Sequence, residues 1–573
     1  MSQPALLCAV LSDFNASNFG ALLQHDPANP SVEILESPFG SVMQILADPA
    51  RFLPEKKLDV AIVWTRLEAV SPAFGRLLQG ESTSVDAVIE EVDNFASMLL
   101  RLRGAAKFVL VPSWILPPDR GNFSLFGFND PAGWDRVLLR ANLRLAEALA
   151  GESGFCLLNA QNWIARVGKA GYNSKLWYLS KTPFSNALLK EAVSEIKSAL
   201  AGLLGRSRKI LILDLDDTLW GGIVGDDGWQ NLSLGGHDAI GEAFVDFQKE
   251  LKALSRRGVL LAIVSKNDEA IALEAIDKHP EMLLRREDFV AWRINWNDKA
   301  ANLAELVRDV NVGLDSAVYI DDNPSERARI RETLPEVLVP DWPEDKTQYV
   351  TALRTLNCFN PLSISEEDRS RTSSYVAERE RQQSVREVGS LDDWLQTLGL
   401  VVEVEQLSPI NLPRASQLLN KTNQLNLQTR RMSEEEFAAW SQEPGCKVWT
   451  FRVSDRFGDY GLTGLASVNV TGNDAFVTDF LLSCRVFGKK VERAMFATLV
   501  NEARAMGATS LTATYRPTAK NNPCLQFLER NGFHRGADSK VFSWNTADEF
   551  EIPDHIRLVR HLAAETLNAL CNS

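Results

Sequence analysis

Histidine is scarce in this chain: the 573 residues hold six, and none lies between His25 and His237. A serine hydrolase needs a base beside its nucleophile, so the first third of the chain lacks the Asp-x-x-His pair that such chemistry uses. Cysteine is sparse too. The seven residues Cys8, Cys156, Cys358, Cys446, Cys484, Cys524 and Cys571 include no Cys-x-x-Cys pair, which gives no zinc site and suits a reducing compartment. Long apolar runs are missing: nothing approaches the roughly 20 consecutive apolar residues that cross a bilayer. Met1 to Phe14 lacks the basic residues of a secretory leader, so a cytoplasmic location without membrane contact is expected. Positive charge is also in deficit. With 61 Lys and Arg against 75 Asp and Glu, and a net charge of -14, no nucleic-acid partner is expected. Repeats and low-complexity tracts are absent.

What is present is ordinary globular text, 45% hydrophobic and 24% charged, long enough for three or four cores. Leu6–Leu11, Val60–Trp64, Phe108–Pro112 and Phe155–Leu158 read as buried strands, with amphipathic helices over Ser84–Arg103 and Arg136–Ala150 between them. Alternation of this kind predicts an α/β unit with a mostly parallel sheet over residues 1–204. It resumes with Lys209–Leu213, Leu260–Val264 and Ala317–Ile320, a second α/β domain over 205–345. Residues 346–399 read as a helical connector, since Glu366–Arg386 is nearly devoid of apolar residues and has the text of a solvated helix. Residues 400–573 read as α+β with a more antiparallel sheet and a C-terminal helix. Its strands fall near Val401–Val404, Lys447–Val453, Gly464–Val470, Ala475–Leu481 and Ser510–Thr514, with helices after Arg485 and over Asn522–Asn531.

Chemistry concentrates at strand ends. Asp214 and Asp216 follow the all-apolar run Ile210–Leu213, and side chains two apart face the same way while the chain is extended. Strand ends in a parallel sheet open onto the crevice where α/β folds bind ligands. Two acids there can share a divalent cation; one can attack phosphorus while the other handles the leaving group's proton. Alone, Asp-x-Asp-x-Thr is equally a solvated turn with Thr218 as a helix cap. Three further features weigh against that. Ser265 ends the next buried run, Lys299 puts an ammonium at a helix start where it is misplaced unless it answers an anion, and Asp321 and Asp322 end a third apolar run.

The order of these four elements resembles the haloacid dehalogenase (HAD) superfamily over roughly Arg208 to Pro340. The resemblance implies Asp214 as a nucleophile forming an aspartyl-phosphate and Asp216 as general acid/base. Thr218 and Ser265 would contact the phosphoryl group, Lys299 would neutralise it, and Asp214, Asp216, Asp321 and Asp322 would gather around Mg²⁺. The intervals between motifs leave no room for a separate cap, so the site is expected to be open to a large substrate or covered by another domain.

The stretch Leu219–Gly228, with Lys266-Asn267-Asp268 and Asp321–Pro324, resembles the FkbH-like subgroup of these proteins. That resemblance implies transfer of a glyceryl unit from a 1,3-bisphosphoglycerate-like phospho-acid to the phosphopantetheine thiol of an acyl carrier protein, for polyketide or glycan pathways. Asn420–Leu427 and Ser483–Glu492 resemble the corresponding region of a GNAT acyltransferase unit, in which Arg485 and Gly488 would hold CoA or phosphopantetheine at a helix start. Lys490 departs from that loop's pattern. Leu215 departs from relatives that carry Cys between the two acids, which turns attention to Cys484 as an acyl-carrying thiol, although a buried structural cysteine is the blander reading. The first domain resembles an SGNH-like or flavodoxin-like domain and reads as non-catalytic; Ser12, Asp13 and Asn15 are its candidate binders, and the Trp64 and Trp177 regions read as core or interface. The alternative to the coupled enzyme is a magnesium-dependent phosphatase with an unconnected acyltransferase domain.

Overall fold

The computed structural model describes the chain apart from residues 1–4, 36, 38–39, 55, 117–123, 153, 361–371, 373–374, 378–380, 382–389, 422–424, 429, 433, 519–520, 537, 539 and 562–573. It is a multidomain α/β protein with two compact units: Met1–Arg286 with Trp292–Arg369, and Ser370–Ser573 with Glu287–Ala291.

Apolar runs in the first unit become parallel strands because both faces of each strand are covered. β1 (Leu6–Ser12), β2 (Val32–Leu35), β3 (Leu58–Trp64), β4 (Ala106–Pro112) and β5 (Phe155–Leu158) form a parallel sheet in the order β2-β1-β3-β4-β5. Alternate strand residues feed two cores. Ala9, Leu11, Ala61 and Val63 pack with α1 (Val85–Leu100) and α2 (Trp134–Leu149), while Cys8, Val10, Val60 and Ile62 pack with α3 (Asn186–Leu203). Trp64 belongs to the second of these cores, meeting Phe14, Phe19, Trp163 and Phe184 at centroid distances of 5.0–5.4 Å. Trp177 is half-buried and carries the Arg66 guanidinium on its ring at 4.2 Å.

A second sheet follows α3, in the same unit apart from Phe289–Ala291, with β6 parallel to both of its neighbours. β6 (Ile210–Leu213), β7 (Leu260–Ser265), β8 (Phe289–Ile294) and β9 (Ala317–Ile320) lie in the order β8-β7-β6-β9, with β6, β7 and β9 buried throughout. Both sheets lie in one compact unit, which does not divide near residue 204. α3 joins them: the Ser198 hydroxyl donates to the Asn357 carbonyl, and Asn357 Nδ2 donates to Ser194 Oγ at 3.2 Å.

The second unit is built on one large, mainly antiparallel sheet. β10 (Leu400–Gln406), β11 (Leu425–Asn426), β12 (Cys446–Asp455), β13 (Gly458–Thr471), β14 (Asp474–Leu482), β15 (Ser510–Thr514), β16 (His534–Arg535), β17 (Val541–Asn545) and β18 (Ile556–Arg560) run in the order β16-β17-β15-β14-β13-β12-β10-β18, with β11 beside β14. The pairs β14–β15 and β10–β18 are parallel. Helix α7 (Val491–Ala505) links β14 to β15, and α8 (Asn522–Arg530) follows β15. Most of the charge-rich stretch Glu366–Arg386, including Glu366–Arg371 and Gln382–Arg386, lies outside the described residues, while the expected connector is helical over Tyr349–Thr355 and Leu391–Thr397. Arg381 is described, and its buried guanidinium forks onto Asp455 at 2.7 and 2.9 Å and lies 4.0 Å above the Tyr460 ring.

Burial pushes the Asp455 carboxyl up, but hydrogen bonds from Arg381 and Tyr460 and the guanidinium charge outweigh it and hold the group below the usual aspartate range. A depressed folded-state value stabilises above the unfolded aspartate value and ceases to do so as pH falls through the folded one. Asp455→Ala is therefore expected to cost about 3–5 kcal/mol near neutral pH, because it strands a buried guanidinium. Urea unfolding should show that difference shrinking as the solution is acidified below the ordinary aspartate range.

Candidate active site

Three carboxylates converge at the carboxyl end of the second sheet. Asp214 follows β6, and Asp321 and Asp322 follow β9; one oxygen from each lies within 4.8 Å of the others. Lys299 stands among them. It is the first residue of α5 (Lys299–Asp309), whose start is capped by Asp298 accepting from the Ala301 N–H at 3.0 Å. Its Nζ lies 2.8 Å from Asp214 Oδ2 and 2.6 Å from Asp321 Oδ2, and its side chain is 4% exposed. So little water reaches the amine that only the two carboxylates keep it charged: burial disfavours the ammonium, yet Asp214 and Asp321 raise its pKa above the ordinary lysine value.

The rest of the cluster is held nearly as firmly. Tyr319, on β9 two residues before Asp321, donates its hydroxyl to Asp321 Oδ2, while the Asn323 N–H donates to Oδ1 at 2.8 Å. Arg327 donates to the carbonyls of Asp321 and Asp322, at 2.7 Å each. Thr218 Oγ1 accepts from the Asp322 N–H at 3.2 Å. Ser265, at the end of β7, is buried. One atom stands out: Asp214 Oδ1 is buried with no hydrogen-bond partner among the described residues. Burial pushes the Asp214 carboxyl up to about 6 against the pull of Lys299. An oxygen-only donor set containing a buried, unpartnered carboxylate oxygen fits a hard divalent cation such as Mg²⁺. Asp214, Asp321 and Asp322 are the residues that would hold it.

Asp216 is not in this group, contrary to expectation. The alternation argument required an extended chain through residue 216, but β6 ends at Leu213 and a turn follows, with Asp217 in the left-handed region at φ 52°. That turn sends Asp216 toward the loop that follows it. Its Oδ1 accepts from Trp220 Nε1 at 2.9 Å and Val224 N at 3.0 Å, and its Oδ2 from Asn267 Nδ2 at 2.8 Å. Burial raises its pKa, opposed by those donors.

Sequence reasoning missed Lys346, whose Nζ donates to the Asp217 carbonyl at 2.8 Å and lies 3.7 Å from Asp322 Oδ2. Nothing in its charge-rich surroundings distinguishes it. Tyr319 was also missed, although its position two residues before Asp321 in an apolar strand was a usable clue.

In the second unit, Arg485 and Gly488 lie on the exposed turn before α7, with Gly488 at φ 77° and Lys490 at φ 61°. Cys484 opens the short turn Cys484–Val486, and its side chain lies outside the described residues. Thr422, Asn423 and Gln424 also lie outside them.

No family model and no curated protein matches the sequence. Among solved structures, the chain is similar to the N-terminal part of the protein BF1531 from Bacteroides fragilis, which contains a phosphatase domain and was crystallised with Mg. Identity is 29% and the TM-score 0.56, over 63% of this chain and 96% of that one. Slighter likenesses, with TM-scores of 0.21, are to the ribosomal-protein-S18-alanine N-acetyltransferase of Escherichia coli (16% identity, 25% of this chain and 94% of that one) and to a spermidine N-acetyltransferase of Vibrio cholerae (13%, 26% and 94%).

If the three carboxylates bind magnesium, the ion stabilises the folded state by mass action. At about 100 times its dissociation constant the gain is about 2.7 kcal/mol. Thermal unfolding of the intact protein should show this gain, and Asp322→Asn should lose most of it.

Proposed function

We propose that the first unit is a magnesium-dependent phosphoryl-transfer centre of HAD type and that the chain is an FkbH-like enzyme. In this reading it dephosphorylates an activated three-carbon phospho-acid, resembling 1,3-bisphosphoglycerate, and passes the acyl group to the thiol of an acyl carrier protein. The observation that carries the phosphatase part is the unpartnered Asp214 Oδ1, facing a cluster in which Lys299 already offsets two acids. The likeness to a phosphatase domain crystallised with Mg supports it.

Magnesium, when bound, would supply charge to offset the phosphoryl oxygens. The residues do the rest. Asp214 Oδ1 attacks phosphorus, the bond to the leaving oxygen breaks, and Asp216 gives that oxygen its proton. Asp216 then takes a proton from the water that hydrolyses the aspartyl-phosphate, returning Asp214 as a carboxylate and releasing phosphate. Thr218 and Ser265 supply hydroxyls to the phosphoryl group, and Lys299 offsets its charge.

For the acyl half, direct passage to the carrier's thiol is favoured over a protein-bound intermediate. The carrier's thiolate attacks the acyl carbon, the bond to the acyl-phosphate oxygen breaks and that phosphate leaves. Asp214 acts on the other phosphate, an ester whose leaving oxygen takes the proton from Asp216. Leu215 is fully buried and offers nothing to the site. Burial raises the thiols of Cys8, Cys156, Cys358, Cys446 and Cys524, so among the described cysteines none is a ready thiolate. Arg485, Gly488 and Cys484 stay in this proposal as residues near the carrier's arm.

Incubating the protein with 1,3-bisphosphoglycerate, Mg²⁺ and a panel of carrier proteins should give a glyceryl adduct by intact-mass analysis. Phosphate release that ignores the carrier, with no adduct, would instead establish an unconnected phosphatase. Asp214→Asn should abolish phosphate release, whereas Asp216→Asn should slow it by about 10²–10⁴-fold and let the phosphorylated enzyme accumulate.

A further inference from the structure

Beside the charged cluster of the first unit stand apolar side chains that the fold leaves in water. Trp296 is 74% exposed, Ile223 50% and Ile271 39%. They lie on three neighbouring segments: Trp296 in the loop after β8, Ile271 in the first turn of α4 (Glu269–Lys278) after β7, and Ile223 in the loop after β6, with β7 between β8 and β6 in the sheet. Each segment is tied to the phosphatase centre. The Asn295 N–H donates to the Ser265 carbonyl at 3.1 Å. Trp296 follows Asn295 and precedes Lys299 by three residues, a chain reach of no more than about 11 Å. Val224, next after Ile223, donates its N–H to Asp216 at 3.0 Å, and Asn267, four residues before Ile271, donates to the same carboxylate at 2.8 Å.

The backbone around these residues is pinned. Asn295 Oδ1 accepts from Asn302 Nδ2 at 2.8 Å and from the Asn297 N–H at 3.0 Å, Asp298 caps α5, and the Ile223 N–H donates to Asp227 Oδ2 at 3.0 Å. Trp296 itself makes neither a hydrogen bond nor a ring contact among the described residues. Charged neighbours are largely engaged: Lys266 Nζ lies 2.7 Å from Glu326 Oε1, Glu269 accepts from Trp292 Nε1 at 3.0 Å, and Asp268 caps α4. Apolar side chains scattered singly over a surface need no explanation, but large ones gathered on the segments that bear Lys299 and the donors to Asp216 do. A ligand that covers them gains the burial that the fold has forgone.

We infer that Trp296, Ile223 and Ile271 form a subsite for an apolar group carried by the phospho-substrate, so that the centre hydrolyses phosphate monoesters with an apolar or aromatic body. A three-carbon phospho-acid has nothing apolar to place there, so this is a second class of substrate. The inference rests on the phosphatase half of the proposed function and is independent of the carrier protein. The chemistry is unchanged: the ester bond between phosphorus and oxygen breaks, the leaving alkoxide takes its proton from Asp216, and water then frees the phosphate from Asp214.

Propyl phosphate and 3-phenylpropyl phosphate test it, because they share a leaving group and differ in one phenyl ring. With the full-length protein and Mg²⁺, kcat/KM for the phenyl ester should exceed that for propyl phosphate by at least about tenfold, the difference lying in KM because the ring is bound equally in ground and transition states. Trp296→Ala should bring the ratio close to one, Trp296→Phe should keep most of it, and Ile223→Ala should lower it part of the way. Circular dichroism would show which variants are folded, and if Trp296→Ala is not, the Ile223→Ala ratio decides. Equal kcat/KM for the two esters with the unaltered protein, or a ratio that the alanine variants leave in place, would overturn the inference and leave the phosphatase reading standing. The same holds if 1,3-bisphosphoglycerate is dephosphorylated and neither ester is. Phosphate release from none of the three would overturn both.

Discussion

One buried amine organises the first unit's chemistry. Lys299 lies within 2.8 Å of two carboxylates that are themselves out of water, and each of the three groups would be expensive to bury without the others. Asp214, Asp321 and Lys299 come from three different elements, β6, β9 and α5. The charge balance therefore fixes how those elements meet, as well as what the site can do. It also remains incomplete: Lys299 offsets two acids and Lys346 stands 3.7 Å from the third, Asp322, so two cations face three carboxylates, and the surplus negative charge is what a divalent cation would neutralise.

The sequence was most legible where burial is total. Strands covered on both faces must be apolar throughout, so β6, β7 and β9 were visible as runs, and the polar residue ending each run stood out by contrast. Lys299 was legible as an electrostatic anomaly at a helix start. Short or half-exposed strands were not. β2, Val-Glu-Ile-Leu at one edge of its sheet, and β8, which carries Trp292 and Arg293 half-exposed, mix polar with apolar residues and have no clean period. In the second unit β17 and β18 escaped notice for the same reason.

Roles that depend on tertiary pairing were beyond local reasoning. Asp216 sits two residues from Asp214 yet serves a different neighbourhood, because the strand stops before the alternation rule can reach it. A motif names residue types in order, whereas the turn between them decides which carboxylate faces a cation and which faces three N–H donors.

The contacts around Asp217 bear on how such a chain could be taken apart. Its carbonyl is gripped by Lys346 at 2.8 Å and by the Tyr349 hydroxyl at 3.1 Å, and Asn357, a few residues on, is tied to α3 of the preceding sheet. The loop bearing both candidate catalytic acids is thus clamped by polypeptide that reads like linker, and that polypeptide leans on the N-terminal layer. A fragment excised at the apparent seams, after 204 and before 346, would carry every motif residue and lose the brace that shapes their loop. Residues 1–360 keep the motif loop and its brace in one piece.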